Sequence, residues 1–417
     1  MTPRFLAVVV CLVAVNGSFA EDWLRFRGTD GTGVTDTAAP IEWSDESNIA
    51  WKSALPGPGA SSPIVVGSQI FLTCYSGYGS NVEEPGERSQ LECETMCLDR
   101  TSGEILWRQA IPAADAERNY EGFIQQHGYS SATPCSDGEH VYAFFGSSGV
   151  VAYDLLGQQL WHVSVGTKTH GFGSGASPIL HGDLLIVNAS IESGRLIALN
   201  KQTGVEVWSV EEAKRCWGTP LIVQTESGDE ELVLNVDSQM KGFDPETGEV
   251  LWTCEAIPDY VCPSVVARNG IVYGIGGRKS HCVAVKTGGR GDVTETHRLF
   301  DLEVGSNVPS PVLVGNNLFW VNQGGQFFCV DVEKAELVTR ERTKVGKTYA
   351  SMMSAGGKLY VVSRQDGAFV FEASPELTQV AHNVIESDDS IFNGTPVFHG
   401  GQLFLRSDQF LYCIGEK

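Results

Sequence analysis

A chain of 417 residues with 42% hydrophobic residues can bury a large core without staples, and its formal charge of −22 argues against nucleic acid or an anionic membrane surface as a partner. Such acidity serves solubility, or attracts cationic partners. Beyond the N-terminus no stretch runs to about 18 uninterrupted apolar residues, so no membrane span is expected.

The first twenty residues have the layout of a cleaved secretory signal: Arg4, an apolar run over 5–15, and Ser18-Phe19-Ala20 before Glu21. Removing 20 from 417 leaves 397 residues, expected to be a soluble, exported (periplasmic or extracellular) chain forming one domain over 21–417. Cys11 lies within the apolar run and is not at a lipid-attachment site.

Next comes Asn48-Ile49-Ala50-Trp51-Lys52-Ser53-Ala54-Leu55, a strand-like stretch with no strand before it. The repeat follows. Ser62-Pro63, Thr133-Pro134, Ser177-Pro178, Thr219-Pro220, Ser310-Pro311 and Thr395-Pro396 each open a short apolar strand, and Cys262-Pro263 and Ser351-Met352 read as weaker copies. After the first interval of 71 residues, successive anchors are 41 to 48 apart. A second phrase sits between them: Leu98-Asp99 to Trp107, Leu199-Asn200 to Trp208 and Phe243-Asp244 to Trp252, with Tyr153-Asp154 to Trp161 one residue shorter. Glycines in these turns supply the positive φ of a tight hairpin, and Pro is tolerated at a strand's first residue. Four short strands of alternating character in a period of about forty residues predict a propeller blade.

The last unit ends at Tyr412-Cys413 without a Trp-bearing fourth strand, and the orphan around Trp51 fits that vacancy. The fold predicted is therefore all-β: an eight-bladed propeller of four-stranded antiparallel blades, closed by the N-terminal strand joining the last C-terminal blade. Cys97, Cys329 and Cys413 share one strand slot with Ala152, Ala198, Gly242, Ala284 and Val370, so they read as small hydrophobes. In an oxidising compartment Cys74, Cys93, Cys216, Cys254 and Cys262 are the better disulfide candidates, with pairings open.

Long segments over 76–95 and 109–131 fall on one face, whereas turns on the other face are short. Long loops on a rigid scaffold carry function, so that face is the candidate. The loops entering the innermost strands repeat a polar-aromatic set: His127 and Tyr129, His170 and Phe172, Arg215 and Trp217, then Tyr260, Asn307, Tyr349 and Asn393. These side chains should ring the channel mouth, either as a ligand surface or as braces hydrogen-bonded to neighbouring loops. No G-x-S-x-G elbow, H-E-x-x-H helix or C-x-x-C pair occurs, and Glu83-Glu84 and Asp388-Asp389 read as solvated loop acids.

The Asp-x-x-Thr-Gly-x-x-x-Trp phrase resembles the repeat of pyrroloquinoline-quinone-type propellers over about residues 22–417. The resemblance implies that Trp51, Trp107, Trp161, Trp208 and Trp252 dock structurally between blades. Trp23-Leu24-Arg25-Phe26-Arg27-Gly28 and the stretch 291–297 resemble exported PQQ-like propellers of planctomycete-type bacteria, with Phe300 where relatives carry Trp. The BamB family of outer-membrane assembly factors is also similar, although its lipid-attachment site is absent here. Quinone dehydrogenases of this kind present two adjacent Cys, and none are adjacent here. The leading expectation is a non-catalytic binding or scaffolding propeller with an exported or envelope protein partner, or a small ligand, and no cofactor or metal. The alternative is a redox enzyme using pyrroloquinoline quinone with calcium.

Overall fold

The computed structural model describes residues 22–416; the expected signal segment, 1–20, lies outside the described residues. Eight sheets of four antiparallel strands form the blades of a ring. Blade 1 comprises Ile64–Val66, Gln69–Ser76, Glu92–Asp99 and Ile105–Pro112, from channel to rim. Blades 2 to 7 occupy 135–163, 179–210, 221–255, 266–302, 312–342 and 353–383. Blade 8 takes three strands from 397–414 and its outermost, Ile49–Ala54, from near the N-terminus. Trp51 pairs with Cys413 and Ala54 with Phe410, so the orphan strand fills the predicted vacancy. The ring is closed by sheet hydrogen bonds and neither terminal blade is left without a neighbour.

Alternation along the strands explains the core. The second and third strands of each blade are buried on both faces, since blades stack on either side, and they read as apolar runs such as Leu184–Ala189. Outermost strands alternate towards solvent. The predicted strand slot holds throughout: Cys97 faces Trp107, Ala152 faces Trp161, Ala198 faces Trp208, Gly242 faces Trp252, and Ala284 faces Phe300. A small residue there leaves room for the opposing ring.

Four of the five tryptophans reach the next blade through the indole N–H. Trp51 donates to Arg100 O (3.0 Å), Trp107 to Leu155 O (3.0 Å), Trp161 to Lys201 O (3.0 Å) and Trp208 to Pro245 O (3.2 Å). Trp252 is also buried between blades, in one cluster with Val272, Val283 and Val285 of blade 5, but its N–H does not reach the next blade. It donates to the buried Glu231 carboxylate of its own blade at 2.7 Å. The reason lies in blade 5, whose last two strands are joined by a longer connection; there Gly291–Asp292 adds a fifth, parallel strand to the rim of blade 4 and takes the place of a receiving turn.

Two corrections concern cysteine and acid. All ten described cysteines are free thiols, so the bridges considered for Cys74, Cys93, Cys216, Cys254 and Cys262 are not formed. Nine are buried, filling small apolar slots. Asp388 is buried rather than solvated, accepting hydrogen bonds from Ser390 and from Tyr412 Oη at 2.8 Å. Among the described residues no helix is long and apolar enough to cross a membrane.

The segment 22–37 lies across the channel. Trp23 pairs with Val65 of blade 1, Leu24 O accepts from Ser136 N of blade 2, and the Arg27 guanidinium donates to Pro311 O of blade 6. Val34–Thr35 then adds a short parallel strand to the inner edge of blade 7.

Candidate functional site

The innermost strands enter from the face that carries the long loops, and a hydroxyl residue stands two positions before each of them. The backbone N–H of Ser62 donates to Thr133 Oγ1 of the next blade (2.9 Å), Thr133 N–H to Ser177 Oγ (3.0 Å), and Ser177 N–H to Thr219 Oγ1 (3.0 Å). The series continues through Ser264, Ser310, Ser351 and Thr395, every link between 2.9 and 3.1 Å. Seven bonds thus stitch eight blades around the mouth. In blade 5 the hydroxyl is Ser264, so the true copy of the Ser/Thr-Pro pair is Ser264-Val265 and not Cys262-Pro263. At the seam between blades 8 and 1 the buried Arg406 guanidinium bridges instead, donating to Ser61 O (3.1 Å), Ser61 Oγ (2.6 Å) and Thr73 O (2.7 Å).

Above this ring lies a cavity of about 370 Å³. The residue two positions before each hydroxyl lines it in every blade: Ala60, Ser131, Gly175, Trp217, Cys262, Val308, Tyr349 and Asn393. Phe26, from the segment crossing the channel, forms the floor, and Phe123 stands at the entrance. One wall is aromatic. Phe172 lies 5.6 Å from Trp217 and 5.3 Å from Tyr260, ring centre to ring centre. The opposite wall is amide and hydroxyl, with Asn307, Gln323, Tyr349 and Asn393. No Asp, Glu, Lys or Arg lines the cavity.

Of the ten residues expected at the mouth, the cavity wall includes His127, Phe172, Trp217, Tyr260, Asn307, Tyr349 and Asn393. Three stand behind it. His170 packs edge-on against Phe172 and Trp217 (4.9 and 5.1 Å). Tyr129 joins Tyr75, Tyr78 and Tyr120 in an aromatic cluster that fastens the two long loops together, and its hydroxyl donates to Arg118 O at 2.8 Å. Arg215 bridges Asp237 and Asp259 at 3.1 and 3.2 Å, tying blades 4 and 5 at the rim.

The loop between blades 1 and 2 carries the helical turn Ile124–His127 over the mouth as a strap. His127 Nε2–H donates to Phe172 O at 2.7 Å and Nδ1 accepts from Ser131 Oγ at 2.7 Å, which fixes the neutral tautomer. Burial lowers its pKa, in keeping with that assignment. Gln126 O accepts from Arg364 of blade 7 (2.9 Å) and from Asn393 Nδ2 of blade 8 (2.7 Å). His127 is therefore a brace rather than a free ligand group.

Sequence reading missed Phe26, Phe123, Gln323 and the hydroxyl ring. The ring had a signal, because Ser or Thr persists where Pro does not, as at Ser351-Met352. Phe26 had none, since its place depends on how the N-terminal segment crosses the ring.

A family model described as Outer membrane protein assembly factor BamB matches residues 32–169, 89–215 and 147–374. No curated protein matches the chain. Among solved structures, BamB from Moraxella catarrhalis superposes with a TM-score of 0.62 at 13% identity, covering 88% of this chain and 97% of that one. Quinohemoprotein alcohol dehydrogenase from Comamonas testosteroni gives 0.67 at 10% identity, covering 95% and 81%. The computationally designed Ika8 protein gives 0.57 at 11% identity, covering 87% and 98%. At such identities the likeness is one of fold.

Proposed function

The chain belongs to the family described as outer membrane protein assembly factor BamB, and from that premise we propose that it is an exported, non-catalytic binding propeller that holds a partner's segment or a small ligand at the channel mouth. The observation that carries this reading is the cavity itself: a concavity within the range of small-ligand sites, roughly 300–1,000 Å³, with lining residues from all eight blades and no ionised group. Rigid walls on a closed ring suit recognition, because little order is lost on binding. A proton-transfer or nucleophilic site would need a titratable group within reach of the substrate. The one histidine in the wall spends both nitrogens on the protein, and burial pushes the Cys262 thiol up to about 12, which keeps it from being a thiolate nucleophile.

The quinone alternative fails a test of fit. Calcium takes oxygen ligands, usually including carboxylates, and quinone oxidation needs a carboxylate base. The wall offers neither Asp nor Glu, and among the described residues no cluster of three His, Cys, Asp or Glu is poised for a metal. No catalytic step is derived through that group.

The test is a titration of the purified chain with pyrroloquinoline quinone and calcium, following tryptophan fluorescence and dye reduction. Neither saturable quenching nor turnover is expected, and turnover would refute the reading. In parallel, thermal-shift screening against uncharged small ligands and end-blocked peptides should give stabilisation that Tyr260→Ala abolishes. Tyr260 is the better probe than His127, whose removal loosens the strap, and than His170, which stands behind the wall.

A further inference from the structure

We infer that the ligand class of this cavity is a neutral saccharide, the end of a glycan or a short oligosaccharide. The inference rests on the binding reading above and narrows it. Four observations converge.

The hydrogen-bonding inventory of the wall is incomplete in a specific way. Ser177, Thr219, Ser264, Ser310, Ser351 and Thr395 each accept one backbone N–H from the preceding blade, and none donates its own hydroxyl proton to another described protein group. All six line the cavity. Their protons ask for acceptors. Asn393, by contrast, presents an acceptor: its Nδ2 must donate to Gln126 O, because a carbonyl can only accept, so Oδ1 is correctly placed and is buried without a partner. An orphaned buried amide oxygen destabilises the empty site until a ligand donates to it. A ligand group that both donates and accepts, as a hydroxyl does, satisfies both demands.

The opposite wall has another requirement. Phe172, Trp217 and Tyr260 offer a continuous aromatic surface, and the C–H face of a pyranose ring is apolar while its edge bears the hydroxyls. Charge supplies the third constraint. No cation lines the cavity, and Arg278 and Arg364, which lie over the Tyr260 and Tyr349 rings at 5.3 and 5.0 Å, are spent on Asp259 and on Gln126, so uronic acids, phosphates and sulfates find no free counter-charge. Last, Phe26 closes the floor, so an occupant enters by its end. A peptide terminus is charged and finds no counter-charge there; the end of a neutral glycan has no such difficulty.

Isothermal titration calorimetry of the full mature chain tests the assignment, using maltose, cellobiose and N,N′-diacetylchitobiose as neutral probes. Digalacturonic acid serves as the anionic control and an end-blocked phenylalanine dipeptide amide as the uncharged peptide. At least one neutral disaccharide should saturate at one site per chain, with digalacturonate about tenfold weaker or worse. Trp217→Ala removes the aromatic wall, and Gln323→Leu removes an amide whose Nε2 is unspent while leaving the hydroxyl ring intact; each should weaken binding about tenfold. Should Trp217→Ala unfold, Gln323→Leu still decides. Saturation by the dipeptide and by no sugar would overturn the saccharide assignment and leave the binding reading standing; saturation by no probe, together with no stabilisation in the thermal-shift screen, would overturn both. Sugar binding undiminished in both variants would place it elsewhere and refute the assignment.

Discussion

Single side chains near the mouth are tuned by burial more than by charge. Glu192, from the second-to-third-strand loop of blade 3, is 2% exposed and accepts a hydrogen bond from the cavity residue Ser174. Burial, partly offset by that hydroxyl, pushes its carboxyl up to about 7. The native state therefore holds a proton that the unfolded chain, with a carboxyl pKa near 4.3, releases much earlier. Stability tied to this group is fully present below about pH 4 and is lost as pH rises towards 7, a change of about 3 kcal/mol across that window. Asp408, pushed up to about 6 by burial, adds a fall over the lower part of the same range. His127, whose pKa burial lowers, adds stability as pH rises towards the free histidine value and opposes this fall, so the Glu192 contribution is read against a variant: in urea denaturation at pH 5, 6, 7 and 8 the stability of the wild type relative to Glu192→Gln should fall from pH 5 to 7 and then level off. A difference that rises or stays level between pH 5 and 7 would contradict the assignment.

At the level of the repeating element, the hairpin between the third and outermost strands was the most legible feature in the sequence. Asp, Gly and Trp at fixed offsets encode one device: the turn of one blade receives the indole of the blade before it. Gly248 shows why the glycine is needed. Its φ is +75°, and a Cβ there would sit 2.5 Å from Trp208 Cε3, so any side chain meets both backbone strain and the docked ring. Gly248→Ala should cost about 1–3 kcal/mol, read as a lower urea midpoint with an unchanged slope. Gly138 has an equally positive φ of 90° but nothing within 4 Å, so Gly138→Ala isolates the backbone cost alone and should be milder. The same pattern misled where an insertion intervened. In blade 5 the longer connection removed the turn carbonyl that receives the indole N–H in the other blades, and Pro263 drew attention two residues away from Ser264. Local phrases report local turns; they do not report which neighbour an insertion displaces.

For the molecule as a whole, closure was legible because it is a matter of counting: eight strand entries, one missing outer strand and one orphan around Trp51. The mouth was legible only in part. Position two before each ring hydroxyl recurs with the blade period, so Trp217, Tyr349 and Asn393 could be found, whereas Phe26, the strap over the mouth and the placement of Arg406 depend on contacts between residues more than two hundred apart. Arg406 carries a prediction about closure. Seven of the eight blade junctions carry a backbone-to-hydroxyl bond at the mouth, and the eighth has this guanidinium, 1% exposed, reaching two carbonyls and a hydroxyl of blade 1. Arg406→Met leaves Ser61 O without its donor, while Ser61 Oγ and Thr73 O keep each other at 3.0 Å, and it removes the charged cross-blade bridge, so it should cost about 1.5–3 kcal/mol; Ser310→Ala, which orphans a single N–H, should cost about 1–3 kcal/mol. The two losses should also differ in place. Hydrogen exchange in Arg406→Met should accelerate in Ile49–Ala54 and Phe410–Ile414, the strands that seal the ring, ahead of blades 3 to 5, whereas Ser310→Ala should leave that seam protected and loosen the junction of blades 5 and 6. Equal acceleration at both junctions in both variants would mean that the seam is no weaker than any other joint, and that the termini are held by the outer strand pairing alone.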